Sequence, residues 1–305
     1  MPDDRCRGVR IMSLGTRALA GPFRIDRLIE FEGPFRAAEH LFPLASEPEV
    51  LACPTCHDPR FYDLQRRLLV MSFHALLVRT PTHTILVDTC LGNDKPRPMV
   101  PEWNARSGRF IEDLGALGVR PQDVDLVLCT HLHADHIGWN TRLAQGRWVP
   151  TFPRARYLFA RRELDHFRAR MQSEGPGIHH GLWADSVQPI LDAGLAELVD
   201  EHHEVAPGVT LHPAPGHTPG TVMIRLFDGH DTAWLIGDVV HHPIQVDRPD
   251  WYSRFCEQPS QAVASRRKLL EALADSSALL IPAHFPTPTA VRIGRTPHGF
   301  RTVTD

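Results

Sequence analysis

Apolar residues along this chain fall in short alternating or continuous runs, each closed by turn-forming residues, a pattern of strands interleaved with a few helices. Residues 72–80 (SFHALLVRT) and 83–89 (HTILVDT) read as two strands joined by a Pro81-Thr82 turn, with Asp88 at the end of the second. Over 109–119, Phe110, Ile111, Leu114 and Leu117 recur at helical spacing, and a strand over 125–130 follows. The second half repeats the order: a strand over 221–228, a turn at Gly229, a strand over 232–238 closing on Asp238, a helix over 260–277, and a strand over 278–284 closing on His284. From Asp88 to His131 is 43 residues and from Asp238 to His284 is 46, so the halves match in element order and nearly in length. That internal pseudo-repeat predicts two similar αβ halves packed sheet to sheet with helices outside.

Between the halves, residues 139–207 are less regular, with a strand over 155–160, a helix from about Arg161 and a loop over 173–183. This stretch carries Trp139, Trp148, Phe152, Phe167 and Trp183 and reads either as a lid-like insertion walling a pocket or as an ordinary insertion whose aromatics pack beneath it. Tyr157 sits inside the 155–160 strand. The expected organisation is a single domain over 1–305, with a core at about 70–290 and an N-terminal extension over 1–69.

Composition narrows the function classes. Hydrophobic residues at 42% and charged residues at 23% are ordinary for a soluble globular protein, and a net charge of −3 leaves no basic footprint for nucleic acid. No apolar run approaches the ~18 residues of a membrane span, and the acidic start lacks the apolar core of a signal peptide. A cytoplasmic protein without membrane or nucleic-acid partners is expected, and a homodimer is left open. The six cysteines suggest no disulfide framework, and Cys53 and Cys56, a lone CxxC with only His57 nearby, read as incidental loop cysteines.

The chemistry lies at residues 131–136, His-Leu-His-Ala-Asp-His, directly after a buried strand. Three imidazoles and a carboxylate this close need a partner that supplies charge, and a divalent metal does so. His131 and His133, two apart on extended backbone, can face one ion, while Asp135 and His136 suit a second. His217, in the Pro/Gly-rich turn PAPGHTPG, Asp238 at the end of WLIGD and His284 at the end of LLIPAH complete the set. This assigns His131, His133 and His217 to one ion, Asp135, His136 and His284 to the other, and Asp238 to both.

In their order, HLHADH, GHTPG, the Gly237-Asp238 pair, AHF at 283–285 and VDT at 87–89 resemble the successive motifs of the metallo-β-lactamase-fold hydrolase superfamily, over roughly residues 70 to 290. The resemblance implies an α/β protein, an αββα sandwich with a binuclear site on one edge, and makes Asp88 an outer residue that orients a ligand. A nitrogen and oxygen donor set favours two zinc ions, with manganese, iron or cobalt as alternatives. Two such cations lower the pKa of a bridging water to near neutrality and polarise the scissile bond, with Asp135 as proton shuttle to the leaving group. The implied activity is hydrolysis of a small ester-like substrate, a lactone, carboxylic ester or aryl phosphotriester. The shared Asp238 resembles the acyl-homoserine lactonase and methyl parathion hydrolase branches. Alternatives are a thioester or β-lactam hydrolase of the same fold and a flavodiiron-like redox module. His241, His242, Trp183 and Trp251 are candidates for the pocket lining, with Tyr252 and Phe255 near the last; His179, His180, His202 and His203 read as solvated loop residues.

Overall fold

Alternation along the strands sorts their side chains between two hydrophobic layers. In the computed structural model, which describes residues 23–175, 177 and 181–304, β1 (Arg24–Arg36), β2 (Tyr62–Asp63), β3 (Leu68–Arg79), β4 (Thr84–Val87) and β5 (Leu126–Leu128) open the chain. There follow β6 (Thr141–Ala144), β7 (Arg147–Pro150), β8 (Arg156–Ala160), β9 (Ala196–Val199), β10 (Glu204–Ala206) and β11 (Val209–Pro213). The last strands are β12 (Val222–Phe227), β13 (Thr232–Leu235), β14 (Leu279–Ile281), β15 (Arg292–Thr296) and β16 (Gly299–Val303). The helices are α1 (Ala38–Leu41), α2 (Glu47–Leu51), α3 (Phe110–Ala116), α4 (Ala134–Ile137), α5 (Arg161–Glu174), α6 (Gln188–Asp192), α7 (Ile244–Asp247) and α8 (Pro259–Leu273).

A seven-stranded sheet runs in the order β1-β3-β4-β5-β8-β9, with β2 beside β3, and a five-stranded sheet in the order β10-β11-β12-β13-β14. Ile85, Val87, Leu126 and Leu128 of the first meet Leu211, Ile224, Leu226 and Leu235 of the second in a buried layer between the sheets. The alternate residues Leu86 and Val127 face outward beneath Phe110 and Leu114 of α3 and Leu164 and Phe167 of α5. On the far side, Leu269, Leu270 and Leu273 of α8 cover Ile236 and Leu280. Helix, sheet, sheet, helix is the αββα order expected, and each half is built as the pseudo-repeat predicts: β3–β4 and β12–β13 are antiparallel, β4–β5 and β13–β14 parallel.

Both regions expected to lie outside this framework contribute to it. β1, within residues 1–69, pairs along nearly the whole of β3. Its sequence hides this because Asp26 and Arg27 are buried charges: Asp26 pairs with Arg24 and Arg79, and Arg27 donates to Thr287 Oγ1 at 2.7 Å. Of residues 139–207, β8 and β9 extend the first sheet, while Trp139, Phe152, Phe167 and Trp183 are core residues. The packing alternative for those aromatics is the one observed. Tyr157 is interior, donating to the Asn140 carbonyl at 3.0 Å and accepting the Phe152 amide at 3.1 Å. Cys53 and Cys56 are buried among Phe42, Val50 and Tyr62, and burial pushes their thiols up to about 11 and about 12. Among the described residues no helix is long and apolar enough to cross a membrane.

The layer between the sheets holds the two halves together, so its truncation is costly. Ile224→Ala, at a fully buried position, is expected to lower the unfolding free energy by about 2–5 kcal/mol, read from the urea midpoint at unchanged m-value.

Candidate metal centre

All seven residues assigned as ligands lie just beyond strand ends on one edge of the sandwich. Val87 pairs with Leu128 and Leu235 with Ile281, so both parallel pairs end flush and release their chains at the same level. His131 then follows the end of β5 by three residues and His284 follows the end of β14 by three. Asp135 and His136 lie on the single turn of α4, and His217 lies in the turn between β11 and β12. The halves touch at Gly237, where φ is +49° and a Cβ would stand 2.6 Å from Thr130 Oγ1. Glycine lets the turn that presents Asp238 press against the residue before His131.

One donor atom from each of His131, His133, His217 and Asp238 lies within 4.8 Å of the others, and Asp135, His136 and His284 form a second group by the same measure. The Asp238 carboxylate stands between them. Its Oδ2 is 3.2 Å from His217 Nε2 and 3.8 Å from His131 Nε2; its Oδ1 is 3.3 Å from His136 Nε2 and 3.1 Å from His284 Nε2. His133 Nδ1 is 2.9 Å from His217 Nε2, and Asp135 Oδ2 is 3.6 Å from His284 Nε2. Buried polar atoms normally have partners, yet Nε2 of His131, Nε2 of His136 and Oδ1 of Asp238 are buried without a hydrogen bond. Ring nitrogens and carboxylate oxygens that converge without bonding one another fit cations, and such ligands suit divalent ones.

Burial drives an imidazole toward its neutral form, and with the neighbouring His136 and His133 it holds His131 well below its ordinary pKa. For His217 the same burial is outweighed by the Asp238 carboxylate, and the pKa rises to about 10. His136 and His284 are also raised against burial, chiefly by Asp238. Burial opposes the charge on Asp238, and the surrounding imidazoles, His284 foremost, overcome it and hold the carboxyl well below its usual range. The Asp238 carboxylate thus favours protons on His217, His136 and His284, and a cation held at the site would displace them.

The far nitrogens are engaged elsewhere. Asp88, at φ +57°, accepts the Thr130 amide at 2.8 Å and sits 2.9 Å from His136 Nδ1. His284 Nδ1 donates to the Ser72 carbonyl at 3.0 Å, and His217 Nδ1 lies 3.6 Å from Cys256 Sγ. Such outer partners hold the rings of His136, His284 and His217 with the other nitrogen turned inward. Sequence reasoning missed Ser72, Thr130 and Cys256, which carry no motif; only the adjacency of Thr130 to His131 hinted at one of them.

A family description, the metallo-beta-lactamase superfamily, matches residues 74–284. The chain belongs to the metallo-beta-lactamase superfamily. A probable metallo-hydrolase of Mycobacterium tuberculosis is 28% identical over 188 residues, covering 55% of this chain and 57% of that protein. An N-acyl homoserine lactonase of a Bacillus species is 26% identical over 171 residues, covering 50% and 57%. The match thus spans a little over half the length of these curated relatives. Among solved structures, the hydrolase AbOPH of the beta lactamase superfamily has a TM-score of 0.76 at 20% identity, covering 93% of this chain and 95% of that one. AidC, a dizinc quorum-quenching lactonase in complex with its product, has a TM-score of 0.73 at 22% identity, covering 97% and 96%. These two share its fold.

In this superfamily member the four residues named for the pocket lining part ways. His241 is at the cluster, with Nε2 3.3 Å from Asp238 Oδ2 and its ring 4.8 Å from that of His217. His242 is not pocket lining: its Nε2 donates to the Phe61 carbonyl at 2.9 Å and its Nδ1 accepts the Ile244 amide at 3.2 Å, which uses both nitrogens to hold backbone. Trp183 packs in the outer core with Ile190 and donates to Gln188 Oε1, and Trp251 packs against Phe42 beneath the N-terminal segment. Burial of their apolar area places both in the core. Phe255 is exposed and Tyr252 half-buried, His202 is exposed, and His179 and His180 lie outside the described residues.

His242 gives an acid-stability test. Burial lowers its pKa to about 4, so between there and its ordinary 6.5 the folded chain binds fewer protons than the unfolded one. Its contribution is complete above pH 6.5 and is lost as pH falls toward 4. His242→Gln is expected to flatten this limb by on the order of a few kcal/mol in urea unfolding between pH 4 and 7; an unchanged slope would place the limb in other groups.

Proposed function

We propose that this metallo-hydrolase is binuclear and cleaves an ester-like bond, a lactone foremost, with carboxylic esters and aryl phosphotriesters open to the same chemistry. The observation that carries the reading is the division of the Asp238 carboxylate, one oxygen toward each donor group. His131, His133, His217 and Asp238 would hold one ion, zinc by default, and Asp135, His136 and His284 with the other oxygen of Asp238 would hold the second. When bound, two divalent cations polarise the scissile carbonyl or phosphoryl oxygen and bring the pKa of an attacking water toward neutrality.

The chain's own residues do the rest. Asp88 and the Ser72 carbonyl keep His136 and His284 oriented, with Nε2 facing inward. The Asp135 side chain is 12% exposed against 4% for Asp238, so Asp135 is the carboxylate that meets solvent and carries a proton to the leaving oxygen. Phe73 stands edge-on to His284 at 4.8 Å, with half-buried Phe31, Phe35 and Trp103 packed around it, an aromatic wall for the apolar part of a substrate. The lactonases among the relatives and structural neighbours support the lactone.

The test is turnover of γ- and δ-lactones, aryl esters and phosphotriesters by metal-quantified protein, beside His133→Ala and Asp238→Asn. Activity should track roughly two ions per chain and fall in both variants by more than the ~10–100-fold that loss of an outer partner typically costs. Full metal loading without turnover of any class would sink the reading.

A further inference from the structure

The buried carboxylate of Glu163 belongs to neither donor group and to no motif. Glu163 lies in the first turn of α5 and is 2% exposed. Its Oε1 accepts the amide of Leu132, the residue between His131 and His133, at 2.9 Å. Its Oε2 accepts the Thr218 hydroxyl at 2.7 Å and the Gly220 amide at 3.0 Å, in the turn that carries His217. Two loops whose histidines are 84 residues apart in sequence thus meet on the two oxygens of one side chain.

An acid in the first turn of a helix ordinarily complements the helix's own amides. Here the bonds run outward to the two loops instead. Burying a carboxylate among neutral donors is unfavourable, and burial pushes its pKa up to about 7, so packing alone does not account for an acid at this position. The contact is also close: a Cβ at Gly220 would stand 2.3 Å from the Glu163 amide nitrogen and 2.6 Å from its Cα, so this turn presses against the helix where only glycine fits. Four residues on, along the same face of α5, Phe167 stands edge-on to the His133 ring at 6.1 Å.

We infer that Glu163 is the positioning residue of the His131–His133–His217 group, setting the separation of its two loops and hence how tightly that group holds an ion. The inference rests on the metal reading proposed above. Glu163 directs its hydrogen bonds to Leu132, Thr218 and Gly220 and to no side chain of either donor group. It acts through the backbone on either side of the ligands, so the Asp135–His136–His284 group, which it does not touch, keeps its affinity when Glu163 is changed.

Glu163→Gln preserves shape but turns an amide N–H toward a donor, and Thr218→Val removes one of the three bonds while leaving the carboxylate. Chelator-competition titration with zinc, absorption spectra of the cobalt-loaded protein, and amide hydrogen exchange read their effects. In Glu163→Gln one of two ions is expected to bind about 10–100-fold more weakly with the other unchanged, the cobalt spectrum to shift, and exchange at Leu132 and Gly220 to quicken. Thr218→Val should show the same pattern in smaller measure, and serves if the first variant fails to fold. Leu164→Ala, buried on the same helix, should lower stability without changing either affinity of the folded protein. Wild-type affinities at both sites in Glu163→Gln, or equal losses at both, would overturn the inference alone. A wild-type chain that takes up no divalent ion would overturn the metal reading and the inference together.

Discussion

One buried carboxylate surrounded by imidazoles governs this structure. Asp238 is almost wholly enclosed, and its oxygens face His131, His217 and His241 on one side and His136 and His284 on the other. A carboxylate in such a place requires positive charge close by, and imidazoles pressed together repel one another once protonated. The opposite shifts of His131, held down, and His217, driven up to about 10, express that conflict. Divalent cations held there would resolve it; without them Nε2 of His131, Nε2 of His136 and Oδ1 of Asp238 stay buried without a hydrogen bond.

The scaffold makes this density of charge tolerable by placing it at the edge of a dry layer. Between the sheets Ile224, Leu226, Leu235 and Ile281 face Val87, Leu126 and Leu128, and the chemistry begins where those strands stop. Because the parallel pairs end flush, two halves of the chain present their polar residues at one level. The contact of Gly237 with Thr130 joins the level of one half to that of the other. Stability and function are divided along the chain, apolar residues within the sheet and the candidate ligands three to eight positions beyond a strand end.

Around the site lies a ring of ordinary groups that hold the donors still. Asp88 holds His136, the Ser72 carbonyl holds His284, the Cys256 thiol faces His217, and Glu163 ties two loops to α5. Three of these four come from β3, from α5 or from the loop before α8. The stretch between the halves is therefore support for the site: α5 and β8 lie within it, and its aromatics are largely consumed by the core. Phe73 stands beside His284 instead, with Trp103 and the half-buried rings of Phe31 and Phe35 packed against Phe73.

The primary sequence by itself determined the order of elements, the doubled hairpin–helix–strand unit and the residues that meet at the edge. Period-two apolar runs and strand-end polar residues are local signals, and HLHADH is dense enough to be read without a neighbour. β1 escaped because its buried charges, Asp26 and Arg27, break the apolar pattern and are explained only by partners as distant as Arg79 and Thr287. His241 and His242 are adjacent and chemically identical, and only the path of the chain sends the first to Asp238 and the second to the backbone of Phe61 and Ile244. Glu163, Ser72 and Cys256 were silent for the same reason: a contact across 31 to 212 residues leaves no periodicity at either end. Tertiary structure alone decided which polar side chains support the site, because that depends on where strand ends and loops come together in space.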